Sequence, residues 1–212
     1  MTFTPATGRF VPTRLYDSVA ALMRERLWRG LVAMHVAPQP DDVIVDVGCG
    51  TGSLALLLHR VRPRARVVGV DPDPEILAMA RRKAGDAAVE WRVGMGDELT
   101  AVVGAGSASV VVSSLVLHQC PMAMKRAVLA SMYAALRPGG RLVLADYGLQ
   151  RTPLMRLAFG VVRLADGRVD TQPNADGVLP ALIAEAGFLD VREVEVVPTV
   201  SGSISVYTAC RD

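Results

Sequence analysis

Cysteine is scarce in this chain. Cys49, Cys120 and Cys210 are the three among 212 residues. So odd and scattered a set supports neither a disulfide framework nor a zinc site, and it fits a reducing, cytoplasmic compartment. A charge excess is also missing: 23 Lys and Arg against 21 Asp and Glu leave a formal net charge of +2. That lacks the basic stripe a nucleic-acid partner requires. No run approaches about 18 uninterrupted apolar residues, so no membrane-spanning helix is expected. The first residues lack the charged-then-apolar layout of a secretory signal. Neither internal repeats, nor a long linker, nor a stretch polar enough to read as disordered interrupts the chain. What remains is 51% apolar and 21% charged, the composition of one globular domain over residues 1–212 with a substantial core.

The pattern within that domain alternates. Residues 13–35 predict a helix, because Tyr16, Ala20, Met23, Leu27, Leu31 and Met34 recur at steps of four and three. Pro38 and Pro40 stop it. Strand-like apolar runs follow at residues 43–47, 66–70, 89–93, 110–113 and 142–146, separated by helical patterns at 53–59, 75–83 and 122–136. Such β-branched strands, spaced by helices, predict an α/β fold with a parallel sheet covered on both faces. Beyond residue 150 the rhythm breaks. A helix over 154–165, a loop over 166–174 and a helix over 178–186 are expected, then strands at 191–197 and 203–210. The short turn between those last two strands requires an antiparallel pair, since a parallel crossover needs a dozen or more residues.

The richest stretch is Val43-Ile44-Val45-Asp46-Val47-Gly48-Cys49-Gly50-Thr51-Gly52. A strand ends in an aspartate and turns through alternating glycines, which tolerate positive φ and bring backbone close to a ligand. A dinucleotide fold uses a similar turn to seat a diphosphate on helix-start amides. Asp46 argues against that ligand: at about 4 Å and an effective dielectric of about 20, it opposes a phosphate by roughly 4 kcal/mol. Ser53 also stands where the dinucleotide pattern wants its last Gly or Ala. A carboxylate here suits a ligand with positive charge, such as an ammonium or a sulfonium.

Asp46 through Gly52 resembles, letter for letter, the D-x-G-C-G-x-G pattern of the class I S-adenosylmethionine-dependent methyltransferases. The likeness is strongest to the small-molecule group that includes quinone-biosynthesis methyltransferases. The resemblance implies a doubly wound, Rossmann-like sheet of seven strands in the order 3-2-1-4-5-7-6, with one antiparallel strand near the edge. It implies S-adenosyl-L-methionine as cofactor, S-adenosyl-L-homocysteine as product and no metal. The turn of Asp46, Gly48, Cys49, Gly50 and Gly52 would wrap the methionine moiety. Asp71, 21 residues past Gly50, stands at the spacing where an acidic residue reaches ribose hydroxyls; it equally suits a cap for the helix near Pro74. Pro72 would pack on the adenine. Gly96, Asp97 and Glu98 resemble the segment that reads the adenine edge, or form an ordinary acidic turn. Ser113, Ser114 and Leu115 would border the methionine part through their backbone. Tyr16 sits in a stretch like one that covers the cofactor's carboxylate, and is also placed as a core tyrosine.

For the chemistry, His118 is the candidate base, since an imidazole with a pKa near 6.5 can take a proton from a phenol or hydroxyl; its other reading is a structural hydrogen bond. Asp146 and Tyr147 either orient substrate and assist deprotonation, or stand at a solvated strand end. Residues 136–141 read as a scaffold turn. The resemblance makes residues 1–40 an N-terminal helical cap and 147–175 a substrate-side insert. The apolar face of Leu154, Leu157, Ala158, Val161 and Val162 would cover an apolar or aromatic small-molecule acceptor, pack on the sheet edge, or touch a membrane surface weakly. Two rivals share the turn: an NAD-type oxidoreductase, and a cofactor-binding module that acts through a partner without catalysis.

Overall fold

The computed structural model describes residues 24–212. Seven strands form one sheet: β1 (Val43–Val47), β2 (Arg66–Asp71), β3 (Val89–Val93), β4 (Ala108–Ser114), β5 (Leu136–Tyr147), β6 (Leu189–Thr199) and β7 (Gly202–Cys210). Their spatial order is β3-β2-β1-β4-β5-β7-β6, as the resemblance implies. β1 pairs in parallel with β2 and β4, and β5 continues the parallel run from β4. β7 is antiparallel to both β5 and β6, as the short terminal turn requires.

Helices cover both faces because successive strand residues point to opposite sides. Ile44, Val67, Val110 and Val143 enter one core, beneath α1 (Glu25–Val36) and α2 (Ser53–Val61). Their neighbours Val45, Val68, Val111, Leu142 and Leu144 enter the other. There they meet α5 (Met122–Ala135) and α9 (Leu179–Glu185). α3 (Pro74–Ala84) and the short α4 (Leu99–Val103) complete the first half. The five-residue α4 had no periodic signal long enough to announce it.

Three sequence expectations change. First, the described part of the N-terminal helix buries Trp28, Val32 and Val36, while Leu27 and Met34 are exposed. The helix carries apolar residues on two sides, so its period was right and its chosen face was rotated by about one residue; the bulk of Trp28 selects the buried side. Second, the 154–165 helix is split into α6 (Pro153–Ala158) and α7 (Gly160–Asp166), and residues 168–175 form a further helix, α8 (Arg168–Ala175), where a loop was expected. The buried side of α8 is Thr171, Asn174 and Ala175, mostly polar, so an apolar period could not reveal it. Third, residues 137–140 bulge from β5: Leu136 pairs with Ala108, and Arg141 already pairs with Val110. The turn read there lies within the strand's span.

Candidate active site

The carboxyl ends of β1, β2 and β4 lie side by side, with Val47 opposite both Val70 and Ser113. This is where an open α/β sheet binds its ligand. At the end of β1, Gly48, Gly50 and Gly52 all take left-handed φ, at 68°, 53° and 75°. Their reasons differ. A Cβ on Gly48 would fall 2.3 Å from Val116, and one on Gly52 would fall 2.2 Å from the Trp91 ring. A Cβ on Gly50 would meet nothing within 4 Å. Two glycines therefore serve packing, and the middle one faces open space.

The turn's N–H groups are largely spent on β2. Gly48 and Cys49 donate to the Val70 carbonyl, and Gly50 donates to Asp71 Oδ2 at 2.9 Å. The amides of Gly48, Cys49 and Gly50 thus hold the turn against the end of β2. The turn also holds Asp46, fully buried, with neither carboxylate oxygen hydrogen-bonded. Burial pushes its pKa up to about 7, against the opposing pull of the Arg29 guanidinium and the Ala55 amide. Arg29 and Ala55 compensate the Asp46 charge only in part, which leaves the buried carboxylate suited to a further cationic group.

Asp71 accepts one amide on each oxygen, from Gly50 and from Asp73 (3.0 Å). Burial raises its pKa and those two amides oppose the rise. The helix cap belongs to Asp73, whose Oδ1 accepts from Glu75 and Ile76. Asp71 is thus not the cap, and its remaining lone pairs stay available. Half-buried Pro72 follows it and, after β3, the 3₁₀ turn Gly96–Glu98. There Asp97 Oδ1 is shielded from solvent without a partner, and Glu98 is exposed. At the end of β4, Ser113 donates its hydroxyl to the Val47 carbonyl at 2.7 Å. Ser114 is half-buried. Leu115 adopts φ 57°, a strained angle for a branched residue. Tyr16 lies outside the described residues.

The proposed chemical residues form one buried network. Asp146 Oδ2 accepts from the amides of Val116 (3.1 Å), Leu117 (2.7 Å) and His118 (3.3 Å). Its Oδ1 accepts from the Tyr147 amide and lies 2.7 Å from His118 Nδ1. The second imidazole nitrogen, Nε2, faces Asp166 Oδ2 at 3.5 Å. Desolvation lowers the His118 pKa, but the two carboxylates outweigh it and raise it to about 9. Tyr147 is buried, edge-on to His118 and Phe159, with its hydroxyl 2.8 Å from Ser201 Oγ. Burial pushes its phenol further up. The reading of Asp146 and Tyr147 as a solvated strand end is corrected: both are buried.

One residue of this network escaped the sequence reading. Lys125, fully buried on α5, donates to the carbonyls of Leu117, His118 and Asp170. Desolvation lowers its pKa, with Asp146 and Asp170 opposing. The available signal was a lysine on the stripe of Val128, Leu129 and Met132, all buried. Lys125, Asp146, His118 and Asp166 thus alternate in sign across the site. Among the described residues, no three His, Cys, Asp or Glu side chains converge as a metal ion would need.

Comparison with known proteins places this architecture. A methyltransferase domain model matches residues 44–140. The chain is 30% identical over 197 residues to a ubiquinone/menaquinone biosynthesis C-methyltransferase UbiE of Rubrivivax gelatinosus, covering 84% of this chain and 76% of that protein. The chain belongs to the class I S-adenosylmethionine-dependent methyltransferases. The chain is also 36% identical over 131 residues to a demethylmenaquinone methyltransferase of Thermus thermophilus, covering 62% of this chain and 56% of the relative. Several curated relatives are longer, and the chain spans about half their length. Its fold matches a magnesium protoporphyrin IX methyltransferase from Synechocystis with bound SAH, at TM-score 0.69, 18% identity and coverage of 97% and 90% of the two chains. A methyltransferase of this class takes S-adenosylmethionine as its methyl donor.

Proposed function

We propose that this methyltransferase moves a methyl group from S-adenosylmethionine to a small apolar or aromatic acceptor of the quinol or phenol type. The observation that carries the donor half is Asp46, a buried carboxylate with both oxygens unpartnered, in a turn whose Gly50 faces open space. The donor fits these residues: its α-ammonium answers the Asp46 charge, its ribose diol suits the lone pairs left on Asp71, and its exocyclic amine suits the orphaned Asp97 Oδ1. Pro72 would flank the adenine, and Gly48–Gly52 with residues 113–115 would border the methionine part. The acceptor half rests on the relatives, four of which are named for ubiquinone or menaquinone biosynthesis or for demethylmenaquinone.

When bound, the sulfonium supplies an electrophilic methyl, so the chain's task is to bind and orient. Asp46 provides the fixed counter-charge. Asp146 holds residues 116–118 in place by three amides. His118, with its pKa near 9, carries its proton at pH 7. In this reading it is a positioning residue rather than the base, and Tyr147, its phenol pushed up, is not the base either. The acceptor's proton is then released to bulk solvent, since neither His118 nor Tyr147 is free to take it.

The test is incubation of the protein with methyl-labelled S-adenosylmethionine and a panel of quinols, phenols and amines. Label is expected on a quinol or phenol, with S-adenosylhomocysteine formed in equal amount. Transfer confined to amines would overturn the acceptor class. A lack of thermal stabilisation by either S-adenosylmethionine or S-adenosylhomocysteine would overturn the whole reading.

A further inference from the structure

The segment α6–α8 is apolar on two sides. Phe159 and Val162 point inward and are buried. Leu154, Leu157, Val161, Leu164 and Val169 point outward and are 64–89% exposed. The first four recur at steps of three, four and three, so they share one face despite the break at Phe159. A helix apolar all round is ordinarily covered. An exposed patch of this kind marks an interaction surface.

The charges around the patch select its occupant. Residues 151–170 hold four arginines (151, 156, 163 and 168) and two aspartates (166 and 170), an excess of two positive charges. Asp166 is half-buried and turned toward His118 Nε2, and Asp170 is half-buried. Arg151 is paired with Glu193, and Arg163 lies over the Phe159 ring. Arg156 is exposed while its Nε donates to the Gln150 carbonyl at 2.9 Å, and Arg168 is exposed beside the leucines. Leucines flanked by arginines on short helices match the zone between the headgroups and acyl chains of an anionic bilayer. No described helix is long and apolar enough to cross a membrane, so the segment would lie on the surface rather than span it.

We infer that the outward face of α6–α8 docks on an anionic lipid surface. The inner side of the same segment meets the site: Asp166 faces His118, the Asp170 carbonyl accepts from Lys125, and Asn174 donates to the Tyr147 carbonyl at 3.0 Å. Docking would therefore set the candidate active site against the lipid, where an apolar acceptor is dissolved. That consequence rests on the methyl-transfer reading; the docking itself does not.

Vesicle flotation of the full chain tests it, with phosphatidylcholine vesicles with and without phosphatidylglycerol, at low and high salt. Co-flotation is expected with the anionic vesicles at low salt, weakened by salt. Leu157→Glu with Leu164→Glu should abolish it. Arg168→Glu should lower vesicle affinity by about fivefold or more. Leu157, Leu164 and Arg168 are exposed, so melting temperature and S-adenosylhomocysteine binding should match the parent. No flotation of the parent at low salt would overturn the proposal, as would flotation unchanged by the leucine pair. Equal, salt-insensitive binding to both vesicle types would overturn its anionic basis. Self-association abolished by the leucine pair, with no lipid binding, would give the face to a second copy and overturn it too. Loss of S-adenosylhomocysteine binding with flotation intact would strike the methyl-transfer reading alone.

Discussion

Asp46 shows how a single residue can oppose the fold while serving a ligand. Its pKa rises from 3.8 to about 7, chiefly through burial. A carboxyl favoured in its protonated form when folded contributes stability that is fully present below about pH 4 and lost as pH rises through 7. The shift corresponds to at most roughly 4 kcal/mol. Asp46→Asn should therefore melt higher than the parent at pH 8 and alike near pH 4, while its affinity for S-adenosylhomocysteine falls by about tenfold or more, as for the loss of a charge-assisted contact. Thermal melts across pH with and without ligand would check both halves; an Asn variant that melts lower at pH 8 would refute the account. The chemistry of Asp46 was legible because it depends on its own carboxyl and the glycines beside it. The division of labour among those glycines was not. Val116 and Trp91, which press on Gly48 and Gly52, come from distant parts of the chain.

At the scale of elements, Lys125 joins parts that sequence separates. Its ammonium holds the 117–118 carbonyls after β4 and the Asp170 carbonyl of α8, 45 residues further on. Lys125→Met would leave three carbonyls without this donor, at about 3 kcal/mol after the gain from removing a buried charge is subtracted. Faster amide hydrogen exchange is expected in residues 116–119 and 168–174, with β1 and β2 unaffected. Uniform exchange changes, or none, would count against the clamp. The helices flanking the early strands were legible from their apolar period. α8 was not, since its buried Thr171 and Asn174 make hydrogen bonds rather than apolar contacts: Thr171 to the Gly167 carbonyl, Asn174 to that of Tyr147. In α1, period alone left two candidate faces, and packing chose the one with Trp28.

Across the whole molecule, the alternating charges from Lys125 to Asp166 tie the ends of β4 and β5 to the late helices, and their pH response is a global property. The pKa of His118 is raised from 6.5 to about 9 because Asp146 and Asp166 outweigh the desolvation that lowers it. A raised histidine contributes stability that is fully present below about pH 6.5 and lost as pH climbs through 9. The parent should lose up to about 3 kcal/mol across that window, and His118→Gln should flatten the slope there while leaving the Asp46 window in place. Denaturant midpoints at several pH values would measure it, and an unchanged slope in the variant would refute the pairing. From the residue order alone came the alternation of strands and helices, the reversed last strand and the acid-and-glycine turn, because each depends on neighbours a few positions apart. The face of α1, the helix at 168–175, the spending of the turn's amides on β2 and the confinement of His118 between two carboxylates came only with folding. Each joins groups that meet in space after long separation along the chain, and no local pattern encodes which of them will touch.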